Sequence, residues 1–378
     1  MNISIIDDLS LICAEQWNSL QLADNPFVRH EFLSGLEQHH CLGQERGWQP
    51  CHIIIQDDHN KLIAAAPAYL KSHSWGEFVF DWAWADAYER AGEHYYPKLI
   101  IASPFSPVTG ARLLTHPSQN QHNLQAQLLA AAVEFAQQQQ LSSIHTLFHL
   151  ASEIPREAAQ HWHARPGYQF HWSNQNYIDF DDFLSKFSSS KRKNIRKERR
   201  KVTDANITIR VLHNHEIEAE HMAAMHQFYS NTCHEKNNMA WLTVEFFEHL
   251  RQTLAQHLVL FLAYSNEKVI AGSLCFRNKK QLWGRYWGSN GDYDGLHFEA
   301  CYYRPLEYCI EQDIQQFEPG AQGEHKISRG FLPTATHSSH WIADPRFDQA
   351  IGQHLIHERA HTLKAMNELS ERSPYKKQ

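Results

Sequence analysis

The chain has 378 residues and a formal net charge of −7, with 35 Lys and Arg against 42 Asp and Glu. It is 42% apolar and 20% charged, the composition of a globular protein long enough to form two hydrophobic cores. No apolar run is long enough to cross a bilayer, the N-terminus has no signal-peptide pattern, and the seven Cys include no C-x-x-C pair. These features argue against a membrane span, a disulfide framework and a zinc site, and we expect a cytoplasmic protein with reduced thiols.

Apolar stretches separated by turn residues predict β-hairpins in both halves of the chain. In the first half, strands over 51–55 and 62–66 flank a polar turn, and a Gln-rich segment over 121–139 has apolar residues at helical spacing. Hairpins followed by a crossover helix predict an α/β (α+β) fold. The second half repeats this plan, with strands predicted over 258–264, 269–276 and 281–287 and a helix over 297–313.

Further patterns locate the junction between the two halves. Tyr177–Phe180 is strand-like, Ile207–Leu212 predicts another strand, and helical periodicity covers 216–232 and 243–254. We therefore place the boundary near residue 175 and expect a mixed central sheet flanked by helices on each side of it. The predicted domains are residues 1–175 and residues 176–378, the second including a basic helix over 188–202.

That basic helix is an electrostatic exception in an acidic chain. Of residues 191–201, eight are basic and one, Glu198, is acidic, so the rest of the chain carries about −14. The segment lacks Pro and Gly and follows Ser188–Ser190, which can cap a helix. A concentrated cationic face attracts phosphates, although a solvated helix face explains the charge equally well. The candidate residues for binding donor phosphates are Lys191, Arg192, Lys193, Arg196 and Lys197.

Several blocks of the sequence resemble one family of transferases. The stretch from Asp179 to Arg196 resembles the entry to the second domain of Fem-type transferases. The chain as a whole is similar to the bacterial Fem-like family of predicted N-acyltransferases, also described as peptidoglycan biosynthesis or recognition proteins. The other matching blocks are Asp81–Tyr88, Tyr95–Leu99, Pro104–Gly110, Gly284–Gly288, His297–Tyr303, Gly320–Lys326 and Arg329–Phe331.

The resemblance implies two tandem GNAT-like acyltransferase domains. It implies an N-acyltransferase that moves an acyl or aminoacyl group from a carrier, either aminoacyl-tRNA or acyl-CoA, to an amine acceptor such as a cell-wall precursor. No tightly bound cofactor follows from it, and it leaves the donor, the acceptor and the oligomeric state open. The alternative is a non-catalytic protein that uses the GNAT scaffold to bind a peptidoglycan precursor or RNA.

The stretch 320–341 is the strongest candidate for catalysis, because it gathers an acid, a base and cations where the resemblance is dense. Strand alternation would place Glu324 and Lys326 on one face, where a carboxylate could act as the base that deprotonates an amine. A salt-bridged strand with incidental histidines is the alternative interpretation. The candidate catalytic residues are Glu324, His325, Lys326 and Glu299, and the candidate substrate-binding residues are His297, Tyr302, Tyr303, Arg329, Arg285, Trp84, Asp86 and Gly110.

Two other possibilities receive little support from the sequence. The loop Gly288–Gly295 could cradle the pyrophosphate of CoA, but it contains two Asp and lacks the basic-x-x-Gly-x-Gly pattern, so an ordinary turn is favoured. The His and Glu residues near 297 and 325 have no H-E-x-x-H spacing, and we expect no metal requirement.

Overall fold

The computed structural model describes residues 1–20, 24–154, 161–321 and 323–376. They divide into two compact units: unit 1 is Met1–Tyr168 with Ala335–Ala365, and unit 2 is Gln169–Thr334 with Met366–Gln378. The chain thus enters unit 2 at residues 168–169, close to the predicted boundary at 175. The segment 335–365, which the prediction assigned to the second domain, belongs instead to unit 1, a return that no hydrophobic pattern indicates.

The elements of the described residues are as follows. The strands are β1 (Asn2–Ile6), β2 (Trp48–Pro50), β3 (His52–Gln56), β4 (Leu62–Ala66), β5 (Ala68–Lys71), β6 (Lys98–Ile101), β7 (Leu114–Thr115), β8 (Ser143–Leu147), β9 (His163–Ser173), β10 (Ile207–His213), β11 (Leu258–Ser265), β12 (Lys268–Arg277), β13 (Gln281–Ser289), β14 (Gln316–Glu318) and β15 (Leu332–Ile342). The helices are α1 (Ala14–Asn18), α2 (His30–Gln38), α3 (Trp82–Arg90), α4 (Gln121–Gln138), α5 (Phe180–Ser185), α6 (Ser189–Asp204), α7 (Ala219–Glu235), α8 (Val244–Thr253), α9 (Leu296–Phe298), α10 (Arg304–Glu311) and α11 (Pro345–Glu371). A π-helical segment, Glu299–Tyr303, joins α9 to α10, and a 3₁₀ segment spans Glu324–Arg329.

Unit 1 contains a sheet ordered β1-β3-β4-β7 and a second run of paired strands ordered β15-β8-β6-β5-β2. The β6–β8 pair is parallel, whereas the pairs β3–β4, β5–β6 and β8–β15 are antiparallel. Helix α4 buries Leu124, Leu128 and Ala132 in a core shared with Ile53 and Ile55 of β3. The periodicity that predicted this helix therefore marks the face that it buries.

Unit 2 is built on strands ordered β10-β11-β12-β13-β14-β9. The pairs from β10 through β13 are antiparallel, and β13 pairs with β14 in parallel. Because the connection from β13 to β14 must cross over between parallel strands, it contains α9, the π segment and α10. The predicted α+β class with a mixed sheet and flanking helices is confirmed. Within the described residues, no helix is long and apolar enough to cross a membrane.

Two local predictions in unit 2 are wrong. Tyr177–Phe180 is not a strand; the Asp179 side chain accepts a hydrogen bond from the Asp182 amide at 2.7 Å and so caps helix α5. Ser188 stands at the cap position of α6, but its side chain makes no capping bond, and its amide donates to the carbonyl of Pro374 at 3.0 Å.

The predicted strand at 324–329 is also wrong, because these residues form a 3₁₀ helix that ends at Gly330. Gly330 has φ of 96°, a left-handed conformation that residues with a side chain rarely adopt. A Cβ at this position would also lie 2.9 Å from the rings of Phe183 and Phe187. With about three residues per turn, the side chains of Glu324, His325 and Lys326 point in three directions rather than alternating between two faces.

Candidate active site

Helix α6 has one face packed against the rest of unit 2 and another face exposed to solvent. Ile195 and Val202 are buried and attach the helix to unit 2. Lys193, Lys197 and Arg200 are exposed and follow one another at the i, i+4, i+7 spacing of a single helix face. Within the parts of the chain that the structure describes, these three cations have no ion-pair or hydrogen-bond partner. We call them the cationic face.

The remaining predicted phosphate-binding residues are less available than the cationic face. Arg196 pairs with Asp181 at 2.9 Å, and both side chains are exposed. Arg192 is directed at a backbone carbonyl in the preceding turn at 3.5 Å, and Lys191 is partly buried. Arg200, which the sequence interpretation did not select, completes the row formed by Lys193 and Lys197.

A groove beside α6 extends from its arginines. It has a volume of about 630 Å³ and is lined by the side chains of α5, α6 and α10 that include Arg196, Arg199, Arg200, Phe180 and Glu307. Arg199 is engaged there, because its guanidinium lies 4.6 Å from the ring centre of Phe180 and pairs with Glu307 at 3.1 Å. Arg196 is likewise paired with Asp181, and Asp179, Asp204 and Glu307 also line the groove. Arg200 is therefore its cation without a carboxylate partner among the described residues.

The π-helical segment directs two tyrosines toward the rest of the site. Tyr303 donates its hydroxyl hydrogen to Glu198 of α6, and the Tyr302 hydroxyl lies 3.0 Å from His325 Nε2. A π turn inserts one extra residue into a helix, and such turns are frequent at functional sites. This segment thereby connects helix α6 with the 3₁₀ segment.

Arg329 fixes the 3₁₀ segment from the inside. Its Nη2 donates to both carboxylate oxygens of Glu198 at 3.0 and 2.9 Å, and its Nη1 donates to the His325 carbonyl at 2.8 Å. The guanidinium lies 3.6 Å from the centre of the Phe298 ring, a distance at which a cation–π interaction is favourable. Since the Arg329 side chain is only 6% exposed, this pairing is largely shielded from solvent.

Lys326 is a buried ammonium group that has no carboxylate partner among the described residues. The residue is 2% exposed, and its Nζ donates to the Gly320 carbonyl at 2.7 Å. Burial lowers the pKa of Lys326 to about 7, and the charge of Arg285 lowers it in the same direction. Lys326 can therefore gain or lose a proton near neutral pH, which an ordinary lysine cannot do.

Two histidines lie beside this lysine. His297 packs its ring edge-on against Tyr302 at 5.4 Å and against Trp287 at 5.3 Å, and burial lowers its pKa to about 4. His325 is more exposed, and burial together with the charge of Arg329 lowers its pKa. At neutral pH both imidazoles are therefore mainly neutral.

The structure does not bring the two predicted carboxylates into this cluster. Glu324 is exposed and pairs with Arg372 at 2.9 Å. Glu299 is buried, and its two oxygens accept from Arg199 Nε at 3.1 Å. Burial raises the pKa of Glu299, but Arg199 engages both of its oxygens and it makes no contact with His325 or Lys326. The cluster therefore consists of His325, Lys326, Tyr302, Tyr303 and Arg329, with His297 and Arg285 beside it.

The loop Gly288–Gly295 has structural reasons for its glycines and acids. A Cβ on Gly288 would lie 1.9 Å from the carbonyl oxygen of Phe228 in helix α7, so only glycine allows this close packing. Asp294 pairs with Lys201 at 2.7 Å, and Tyr293 donates to Asn290 at 2.9 Å. These contacts agree with the predicted ordinary turn.

The candidate substrate-binding residues in unit 1 are Trp84, Asp86 and Gly110, and the contacts of Trp84 and Gly110 are those of residues that stabilise the fold. Trp84 is buried and stacks on His145, with ring centres 5.8 Å apart, whereas Asp86 is exposed on α3. Gly110 is buried and donates its amide to the Phe148 carbonyl at 3.0 Å, so it does not line an open groove.

A buried ion pair lies at the start of α3 in the same unit. Lys98 donates to Asp81 and, at 2.9 Å, to Glu77, and Tyr95 donates to Asp81 at 2.6 Å. All four side chains are nearly inaccessible to solvent. Asp81, the first residue of the block Asp81–Tyr88, therefore neutralises the buried Lys98 together with Glu77.

Comparisons with known proteins agree with this architecture. The chain is similar to the solved structure of FemX (11% identity, TM-score 0.54, covering 93% of this chain and 100% of that one) and to that of L-PGS from Bacillus licheniformis (10% identity, TM-score 0.51, covering 87% and 96%). It is also similar to a conserved protein of unknown function from Bacteroides thetaiotaomicron (11% identity, TM-score 0.52, covering 91% and 100%). At these identities the similarity concerns the fold alone.

A comparison with curated proteins found no match. The sequence matches the FemAB-like family profile over residues 8–377, which is nearly the whole chain. The protein therefore belongs to the FemAB-like family of peptidoglycan biosynthesis/recognition proteins.

Proposed function

We propose that the protein is an N-acyltransferase that moves an aminoacyl group from aminoacyl-tRNA to the amine of a cell-wall precursor in the cytoplasm. The family match supports a role in peptidoglycan chemistry, and the observation that carries the reaction type is Lys326. An amine acceptor must lose a proton before it attacks a carbonyl, and a base with a pKa close to the working pH is the most effective. Lys326, with a pKa of about 7, meets that requirement.

The reaction can be written with the residues of this site. The neutral Lys326 amine accepts a proton from the acceptor ammonium group, and the freed amine attacks the ester carbonyl of the donor. The nitrogen of the tetrahedral intermediate then releases its second proton to solvent through His325, the oxyanion collapses, the C–O bond to the tRNA breaks, and Lys326 returns its proton to the departing ribose oxygen. Within the described residues the Lys326 ammonium has one acceptor, the Gly320 carbonyl, so donors remain for the substrate.

Neighbouring residues support this role. Tyr302 holds His325 by a hydrogen bond at 3.0 Å, which orients an imidazole able to relay a proton to or from bulk solvent. Because the pKa values of His325 and His297 are lowered, neither imidazole adds positive charge beside Lys326 at neutral pH.

The cationic face supports tRNA rather than acyl-CoA as the donor. Lys193, Lys197 and Arg200 form an exposed row suited to a phosphodiester backbone, which carries regularly spaced charges. In the loop Gly288–Gly295, Gly288 is required by close packing against Phe228 and Asp294 pairs with Lys201, so neither indicates a site for a CoA pyrophosphate.

The experiment that tests the proposal offers both donors to the purified protein. Aminoacyl-tRNA or acetyl-CoA is mixed with an amine-bearing muropeptide precursor, and the new amide is sought by mass spectrometry. We expect product from aminoacyl-tRNA only. Product from acetyl-CoA alone would contradict the donor assignment, and binding of the precursor with no product from either donor would favour a non-catalytic recognition protein.

A further inference from the structure

Glu198 is the one acid among the basic residues 191–201, and its position in the fold differs from that of its neighbours. Lys193, Lys197 and Arg200 face solvent, whereas Glu198 turns toward the interior of unit 2 and its side chain is 29% exposed. There it accepts hydrogen bonds from Arg329 and from Tyr303. The acid thus has a specific pair of partners that a solvated helix face would not require.

These partners lead directly to the candidate catalytic residues. Arg329, held by Glu198, donates through Nη1 to the carbonyl of His325, the residue immediately before Lys326. Tyr303, the other partner of Glu198, is next in sequence to Tyr302, which bonds to the His325 ring. The backbone of His325 is therefore held by Arg329, which Glu198 binds directly. The side chain of His325 is held by Tyr302, whose neighbour Tyr303 binds Glu198.

We propose that Glu198 is a positioning residue: through Arg329 and Tyr303 it holds the 3₁₀ segment Glu324–Arg329 in the geometry required for transfer. This inference rests on the proposed function. The same helix carries donor contacts on its exposed face and the support of the catalytic segment on its inner face. The Glu198 carboxylate does not touch substrate. It acts by keeping His325 and Lys326 at the position and orientation that the reaction with the donor requires.

The geometry makes this support specific. The Arg329 guanidinium is held at two nitrogens, because Nη2 contacts both carboxylate oxygens of Glu198 and Nη1 donates to the His325 carbonyl at 2.8 Å. Stacking of Arg329 on Phe298 at 3.6 Å restricts the guanidinium further. A displacement of about 1 Å at reacting groups can reduce a rate by about a hundredfold, so disruption of this pairing is expected to appear in kcat.

The test compares Glu198→Gln with a matched control, Glu311→Gln. Glu311 also accepts two hydrogen bonds from one arginine, Arg304, at 2.8 and 3.3 Å. This pair is more exposed and lies on helix α10 rather than on the 3₁₀ segment. We expect Glu198→Gln to lower kcat by about a hundredfold while KM for the donor stays within about twofold, and Glu198→Asp to recover part of the rate. The control should leave both parameters unchanged.

A second measurement does not depend on activity. Hydrogen exchange of the amides of Gly330 and Phe331, which donate to Ile327 and Lys326, reports the order of the 3₁₀ segment directly. We expect faster exchange of these two amides in Glu198→Gln and in Arg329→Lys, measured relative to amides of strand β12 in the same variant, which report global unfolding. An inactive wild-type protein would refute the proposed function and leave the exchange measurement valid. Exchange in both variants equal to that of Glu311→Gln, or a donor KM that rises at constant kcat, would overturn the positioning role.

Discussion

Arg329 and Glu198 are 131 residues apart in sequence and share two hydrogen bonds of 3.0 and 2.9 Å. The pair joins the basic helix α6 to the short 3₁₀ segment that carries His325 and Lys326. The chemical consequence is that the candidate proton-transfer groups are placed by tertiary contacts rather than by the regular geometry of a strand.

Replacing Lys326 by Met should stabilise the protein at pH 7. The folded pKa of Lys326 is about 7, below the ordinary value of 10.5, so between these values the unfolded chain binds more protons than the folded one. The free energy of unfolding of the wild type therefore rises with pH across that window, and this rise should be smaller in Lys326→Met. Denaturant unfolding at pH 7 and at about pH 9.5 measures both effects.

A buried lysine with carboxylate partners provides the contrast. Lys98→Met leaves Glu77 and Asp81 buried without their cation, so we expect the free energy of unfolding to fall by about 3–5 kcal/mol. We interpret Lys326 as a buried lysine that lowers the stability of the protein and is retained for its function. A decrease in the free energy of unfolding of Lys326→Met similar to that of Lys98→Met would show this interpretation to be wrong.

Reversing the charge of the cationic face should weaken binding of tRNA. In the triple variant of Lys193, Lys197 and Arg200 to Glu, log affinity should fall. Its dependence on log salt should become shallower by roughly 0.7 to 0.9 for each phosphate that the variant no longer neutralises. Filter binding or fluorescence anisotropy at several salt concentrations measures the slope.

The control for this variant changes charge elsewhere on unit 2. Lys279 and Lys280 lie exposed in the turn between β12 and β13, and their replacement by Glu should change the slope little. Equal decreases in affinity in the two variants would indicate a general effect of net charge and would refute a specific face on α6.

Glu324 and His325 are neighbours in sequence with different expected roles. Glu324 is exposed and paired with Arg372, and surface pairs of this kind contribute little, so Glu324→Gln should transfer at nearly the wild-type rate. His325→Gln removes the imidazole bonded to Tyr302 and should lower kcat by about 10²–10⁴-fold. Steady-state kinetics of the two variants measures both values of kcat. A large decrease in Glu324→Gln with little change in His325→Gln would indicate that Glu324 is the base.

Much of the fold was predictable, because it depends on local periodicity. The hairpin β3–β4, the strands β11 to β13 and the helix α4 all appear where apolar spacing predicts them. The return of residues 335–365 to unit 1 was not predictable in this way, since it depends on pairing between β15 and β8, nearly two hundred residues apart. Pairings over such distances leave no local signal in one sequence.

The site was predictable in composition but not in geometry. The sequence indicates His325, Lys326 and Arg329; in the structure His325 contacts Tyr302, Arg329 donates to the His325 carbonyl, and Lys326 follows His325 in the chain. It also suggested Glu324 as a base by assuming strand alternation, which the left-handed glycine at 330 and the tight 3₁₀ turn do not permit. The partners of Glu198 are not predictable from the sequence, because an acid in a basic run cannot be distinguished from a surface charge until the fold is known.

The most direct test of the central claim is the pH dependence of single-turnover transfer from aminoacyl-tRNA to an amine-bearing peptidoglycan precursor. For the wild type we predict a rate that rises with pH and levels above an apparent pKa of about 7. Lys326→Arg keeps the positive charge but cannot lose its proton, so its rate should be lower by at least about a hundredfold at every pH. A Lys326→Arg protein with the wild-type rate and an unchanged pH profile would contradict the account.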